Sequence, residues 1–175
     1  MNKSLSSIAI VVFGIFSLNF IAPDYFEWST EKKLSFNDFK GSAPSGNGTA
    51  VNLSTLITYQ SSQAAGSTPK MTILNYVDRN NSWIKVKKQE VLDIQQMKFD
   101  YSELTVRKIR KEMENLSKKG VKDKQKYIDA ISKISNDAKK RNNSKFVMLE
   151  DQPHLIKIMK KDVMDSLNLY KNYKK

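Results

Sequence analysis

The 175-residue chain contains no cysteine. That excludes disulfides, thiolate metal ligands, a cysteine nucleophile and lipid attachment to an N-terminal cysteine. It contains one histidine, His154, so a serine–histidine triad could be assembled only there, and no G-x-S-x-G elbow accompanies it. Neither a P-loop nor G-x-G-x-x-G occurs, and the glycine-bearing stretch 45–49 (SGNGT) lacks the lysine and following helix of a phosphate cradle. Arginine is scarce where positive charge is densest. Residues 1–106 hold 10 Lys+Arg against 9 Asp+Glu, whereas residues 107–175 hold 20 against 9. In the basic part only Arg107, Arg110 and Arg141 are arginine, and aromatics do not interleave with the cations. Phosphate forks and stacking platforms need both, which argues against nucleic acid. An anionic surface or an envelope protein remains a candidate partner, the former as for a basic, membrane-proximal adaptor whose C-terminal helices meet anionic lipid; a solvated, lysine-rich exterior is the simpler account.

With 175 residues, 39% of them hydrophobic, the chain is long and apolar enough for one domain with a real core. Lys3 followed by the apolar run 8–21 (IAIVVFGIFSLNFI) gives residues 1–22 the form of a signal peptide or N-terminal anchor. The expectation is export to the periplasm or cell envelope, with residues 23–175 forming a single α+β domain. Residues 24–40 are a polar entry with a hook near Asn37 and Asp38. Residues 40–48 (KGSAPSGNG) and 62–70 (SQAAGSTPK, with its leading serine) are loops. Alternation over 49–61 and 71–77 predicts two strands, and 83–86 a short third.

Residues 90–116 organise the rest. Leu92, Phe99, Val106 and Met113 recur every seven positions; Ile94, Met97, Tyr101 and Leu104 widen the apolar side. No Gly or Pro interrupts the run, and Lys118, Lys119 and Gly120 close it with cations and a glycine stop. Further helices are predicted over 124–140 and 155–173, separated by a loop at 141–145, a short apolar piece at 146–149 and a turn at 150–153.

Several of these residues fall in a known order. Trp28 precedes L-S-F-N-D-F-K-G (residues 34–41); two strands and the pair Ser82–Trp83 follow, then F-D-x-x-E-L-x-x-R-K-I-R-K (residues 99–111). The order resembles a family of exported bacterial zincin-like domains of unknown function, taken to be zinc peptidases. Its members read L-[TS]-W-x-D-F-K-G near the start and H-E-Q-G-H-F-D-I-x-E-L-x-A-R-x-[LI]-R in the central helix. The resemblance spans residues 28–116 and implies a small zincin-like fold, N-terminal strands packed on a long central helix with two helices after it. Without a gap, H-E-Q-G-H-F-D falls on Ile94, Gln95, Gln96, Met97, Lys98, Phe99 and Asp100.

The departures fall on the chemistry. Two imidazoles one turn apart hold zinc in such a helix, and the glutamate accepts a proton from water. Ile94 has no lone pair, Lys98 is a cation, and Gln95 cannot act as a base near neutral pH. The resemblance therefore implies a non-catalytic relative with no bound metal or other cofactor, its cleft beside Ile94, Gln95, Lys98 and Tyr101 filled by side chains. Asp100, Glu103 and His154 are possible remnants of a site. A different class of activity, a hydrolase with an atypical metal arrangement, would have to draw on Asp100, Glu103, Glu150 and His154. Asp100 and Glu103, however, sit where a charged helix pairs its acids with cations such as Arg107.

Overall fold

The computed structural model describes residues 24–175 except 47, 152 and 153; the side chains at 143–145 and 147–151 also lie outside the described set. The export segment expected at residues 1–22 lies outside the described residues. Five strands precede three helices: β1 (Tyr25–Glu27), β2 (Val51–Asn52), β3 (Thr55–Ser62), β4 (Lys70–Asp78), β5 (Trp83–Ile84), α1 (Gln89–Lys118), α2 (Lys124–Asp151) and α3 (Leu155–Leu169). The protein is α+β, with its strands before a long central helix.

The sheet is antiparallel, ordered β1-β4-β3, and β2 pairs with β5 in a separate ribbon. In register, Phe26 lies opposite Val77, and Ile57 and Tyr59 lie opposite Asn75 and Ile73. These odd-numbered positions of β4 face α1, because side chains alternate across a strand. The single strand expected over 49–61 is broken at Leu53–Ser54. There Ser54 leaves the ribbon and ties to the β4–β5 turn: its N–H donates to Ser82 Oγ at 2.9 Å, and its carbonyl accepts from Asp78 N–H at 2.9 Å. β1 escaped the sequence analysis because three residues are too few to show alternation.

α1 packs in every direction. Leu92, Met97, Phe99, Tyr101 and Leu104 meet Phe26, Trp28, Val77, Val163 and Leu167 in one apolar cluster. Val106, Ile109 and Met113 meet Ile73, Tyr127 and Ile131 in a second. Every residue from 99 to 107 is buried, the sheet lying on one side, α2 and α3 on others. The helix ends where Gly120 adopts φ +68°. Val121 N–H then donates to Leu116 C=O at 3.1 Å, the six-to-one bond of a Schellman stop.

Two helix boundaries differ from expectation. Residues 141–145 are no loop: α2 continues through them to Asp151. Asn142, Asn143 and Ser144 are poor helix formers, but each costs only about 0.5 kcal/mol relative to alanine, and neither Gly nor Pro lies between 121 and 152. Phe146 repays continuation by falling on the inward stripe after Ala138 and Asn142, edge-on to Tyr101 at 5.6 Å between centroids. The final helix stops at Leu169 and gives way to a 3₁₀ turn at Lys171–Tyr173.

Gly41 shows how tightly the entry is held. Its N–H donates to Ser82 C=O at 2.8 Å, and a Cβ placed there would lie 2.6 Å from Asn80 O and 2.9 Å from Ser82 O. Both obstacles are backbone. Gly41→Ala should therefore lower unfolding free energy by about 1–3 kcal/mol in urea titration, whereas Gly48→Ala, with open space around it, should change it little.

Candidate functional site

The middle of α1 carries polar side chains in a buried setting, so each must find a partner or weaken the fold. Trp28 Nε1 and Gln96 Nε2 both donate to Asp100 Oδ1, at 2.8 and 2.9 Å. Gln96 Oε1 in turn accepts from Leu34 N–H at 2.8 Å. One turn on, Glu103 Oε1 receives Arg107 Nε at 3.1 Å and Arg110 at 3.2 Å. Asn75 Nδ2 approaches Glu103 Oε2 at 3.4 Å, and Asn75 Oδ1 accepts from Ser102 Oγ at 2.8 Å. The two arginines reach farther, Arg107 donating to Leu167 C=O at 2.6 Å and Arg110 to Ile73 C=O at 2.8 Å and Tyr173 C=O at 2.9 Å. Arg107 also lies over the Trp28 ring, 5.2 Å from its centroid. Burial pushes the Arg110 guanidinium below its usual pKa, and the Glu103 carboxylate opposes that shift.

Asp100 and Glu103 are thus side by side on α1 but serve as hubs that fasten β1, β4, α3 and the C-terminal 3₁₀ turn to the central helix. The N-terminal element is built in the same way. Asp38 Oδ2 accepts from Ser35 N–H and Oγ–H, both at 2.8 Å, while Oδ1 pairs with Arg79 at 2.7 Å. Ser82 Oγ, fully buried, donates to Asp78 C=O at 2.7 Å.

The three positions where the resemblance would place metal chemistry lie one turn earlier. Ile94 is half-buried and apolar. Gln95 is 2% exposed, and its Oε1 has no hydrogen-bond partner among the described residues. Lys98 extends its ammonium to 5.3 Å from the Phe146 ring centroid. His154 is exposed at the start of α3, its imidazole making no capping bond. Among the described residues no three His, Cys, Asp or Glu side chains converge on a point that could hold a metal. An alkyl group, a carboxamide and an ammonium do not fit a zinc ion, and Asp100 and Glu103 are already committed elsewhere. The side chain of Glu150 lies outside the described residues.

The helix face is filled only in part. Gln95 and Tyr101 are buried, and burial, with Asp162 nearby, raises the Tyr101 phenol's pKa. Lys98, however, borders a cavity of about 710 Å³ between α1, α2 and β3. Ser102 and Thr105 continue its α1 wall; Lys139, Asn142 and Phe146 form the α2 wall. Sequence analysis missed Ser102, Thr105, Lys139, Asn142 and Phe146 as lining residues, although Lys98, Ser102 and Thr105 form a polar stripe of i, i+4, i+7 along α1.

The basic exterior is not of one sign. Lys126, Lys133 and Lys140 share a side of α2 by their spacing of seven, but Asp129 and Asp137 lie on that side too. Among the described residues no helix is long and apolar enough to cross a membrane.

Compared with family models, curated proteins and solved structures, the chain matches none.

Removing the charge of the hub while keeping its shape tests its structural role. Glu103→Gln should cost about 3–5 kcal/mol of stability, because Arg107 is left buried without its counter-charge. Urea titration with intact circular dichroism in the folded baseline is the measurement; a loss below about 1 kcal/mol would assign the pair to the weak class typical of surface ion pairs.

Proposed function

We propose that the protein is an exported, non-catalytic relative of zincin-like metallopeptidases that uses the retained scaffold for binding or for a structural role in the cell envelope. The observation that carries this reading is the central helix. The frame residues Gln96, Phe99, Asp100, Glu103, Leu104, Arg107 and Arg110 are engaged in packing or hydrogen bonds, while the positions for ligand, base and second ligand hold Ile94, Gln95 and Lys98. Hydrolysis of a peptide by this route needs a Lewis acid and a base aligned on one water. Neither is available from those three side chains. Binding needs only a concave surface, and the cavity beside Lys98 supplies one. The apolar run at residues 8–21 supports export, and the absence of cysteine is compatible with an oxidising compartment.

Elemental analysis of the purified chain is the direct test. Substoichiometric zinc, unchanged by Lys98→Ala or His154→Ala, is expected, together with no casein turnover that a chelator removes and zinc restores. Stoichiometric zinc lost on either substitution would overturn the proposal.

A further inference from the structure

The two edges of the three-stranded sheet are finished in different ways. On one side β1 is only three residues long and is bordered by charge, with Glu27 paired to Lys175 at 2.6 Å. Beyond its end the rim of β4 is covered by Arg110, which donates to the Ile73 carbonyl at 2.8 Å. Short strands, charges and covering side chains are the devices that keep a sheet edge from pairing with another chain. On the other side β3 has none of them. It runs for eight residues, Thr55–Ser62, paired one-to-one with β4 and so without a bulge. Its sequence, TLITYQSS, has no proline, glycine or charge and is rich in residues that favour strands. The uncharged stretch extends from residue 41 to residue 69, in a chain with 27% charged residues and a net charge of +12.

The register decides which backbone groups of β3 are spent. Asp78 N–H donates to Ser54 C=O, so the even-numbered residues of β4 direct their backbone groups toward β3, because that direction alternates along a strand. Leu56, Thr58 and Gln60 therefore exchange hydrogen bonds with Tyr76, Leu74 and Thr72, the residues opposite them. The N–H and C=O groups of Thr55, Ile57, Tyr59 and Ser61 point away from β4. Among the described residues nothing hydrogen-bonds to them. The edge also shows apolar side chains on both faces of the sheet, Leu56 on one at 39% exposure and Tyr59 on the other at 37%.

We infer that β3 is a dimerisation edge whose occupant is β3 of a second copy of this chain, running antiparallel about a two-fold axis at Thr58. That register uses the strand over nearly its full length and keeps residues of one face together. Thr55 lies opposite Ser61 of the second copy, Leu56 opposite Gln60, Ile57 opposite Tyr59, and Thr58 opposite its own equivalent. The odd-numbered residues then occupy the hydrogen-bonded positions, so each outward N–H and C=O finds a partner. Ile57 and Tyr59 form an aliphatic–aromatic cross-strand pair, repeated by the symmetry. Absence of charge is what favours a second copy over an ionic partner. The edge offers no charge that would select such a partner, and two chains of +12 meet with least repulsion where neither carries a cation. The assembly is independent of the metal-free reading of α1.

The axis supplies the test, because a charge placed at position 58 meets its own copy where opposed side chains approach most closely. Sedimentation velocity of the full chain over a wide concentration range should show a monomer–dimer equilibrium. Thr58→Lys and Thr58→Glu should each weaken it by roughly five-fold or more, and an equimolar mixture of the two variants should recover it. Amide hydrogen exchange read residue by residue reports on the edge itself. The N–H groups of Ile57 and Tyr59 should exchange more slowly as concentration rises, and should exchange freely in Thr58→Lys. Those of Leu56 and Gln60, held by β4, should stay slow in both, which also shows that the variant is folded. A chain that is monomeric throughout, a dimer indifferent to both substitutions, a mixture that recovers nothing, or Ile57 and Tyr59 amides whose exchange is independent of concentration would each overturn the pairing.

Discussion

The carboxylate of Glu103 is the point on which the fold depends. It is buried in the middle of α1 and shared by Arg107 and Arg110. Those arginines carry its influence outward, to a backbone carbonyl in β4, one at the end of α3 and one in the last turn of the chain. An apolar cluster could hold sheet and helices together without fixing their relative register, since hydrophobic contact is non-directional. The guanidinium forks add direction. They donate only to particular carbonyls at particular distances, so the C-terminal segment is located with respect to β4 through the same helix that both touch. A buried ion pair is costly to desolvate; here that cost is offset by donors on both sides of the carboxylate and by burial of the surrounding apolar residues.

Much of this arrangement can be read from residue spacing and some cannot. Leu92, Phe99, Val106 and Met113 announce α1 because one face of a helix returns every seven residues, and all four are buried. Glu103 and Arg107 announce their pairing because four residues make one helical turn. The partners contributed by Asn75, Leu167 and Tyr173 are not legible, since nothing local links a strand residue to a helix tens of residues away. Composition misled at 141–145, where R-N-N-S-K has the residues of a loop yet continues a helix: packing of Phe146 outweighs weak local propensity. It also hid the break at Ser54, which follows from a hydrogen bond to Ser82 and not from any turn residue.

The candidate site was legible only as a loss. Ile94, Gln95 and Lys98 show directly that a zinc site of the H-E-x-x-H kind cannot be formed there. What occupies that region instead depends on how α2 lies across α1, and no pattern in either helix states it. The polar stripe Lys98–Ser102–Thr105 borders the cavity, while Ser102 and Thr105 spend their hydroxyl hydrogens on Asn75 and the Tyr101 carbonyl. The residues that carry the resemblance, from Trp28 to Arg110, are the ones that brace the elements against each other in this structure, and they speak to scaffold in preference to chemistry.

The unequal seam between α1 and α2 also has a mechanical side. Helix α2 has 28 residues and is about 42 Å long. It is clamped by aliphatic and aromatic packing near Gly120, passes small and polar side chains at Ser135, Ala138 and Asn142, and is held again where Phe146 meets Tyr101. Such a helix is a beam resting on two supports, with the gap beside Lys98 between them. The width of that gap is therefore set by the side chains at the supports and not by the residues that line it.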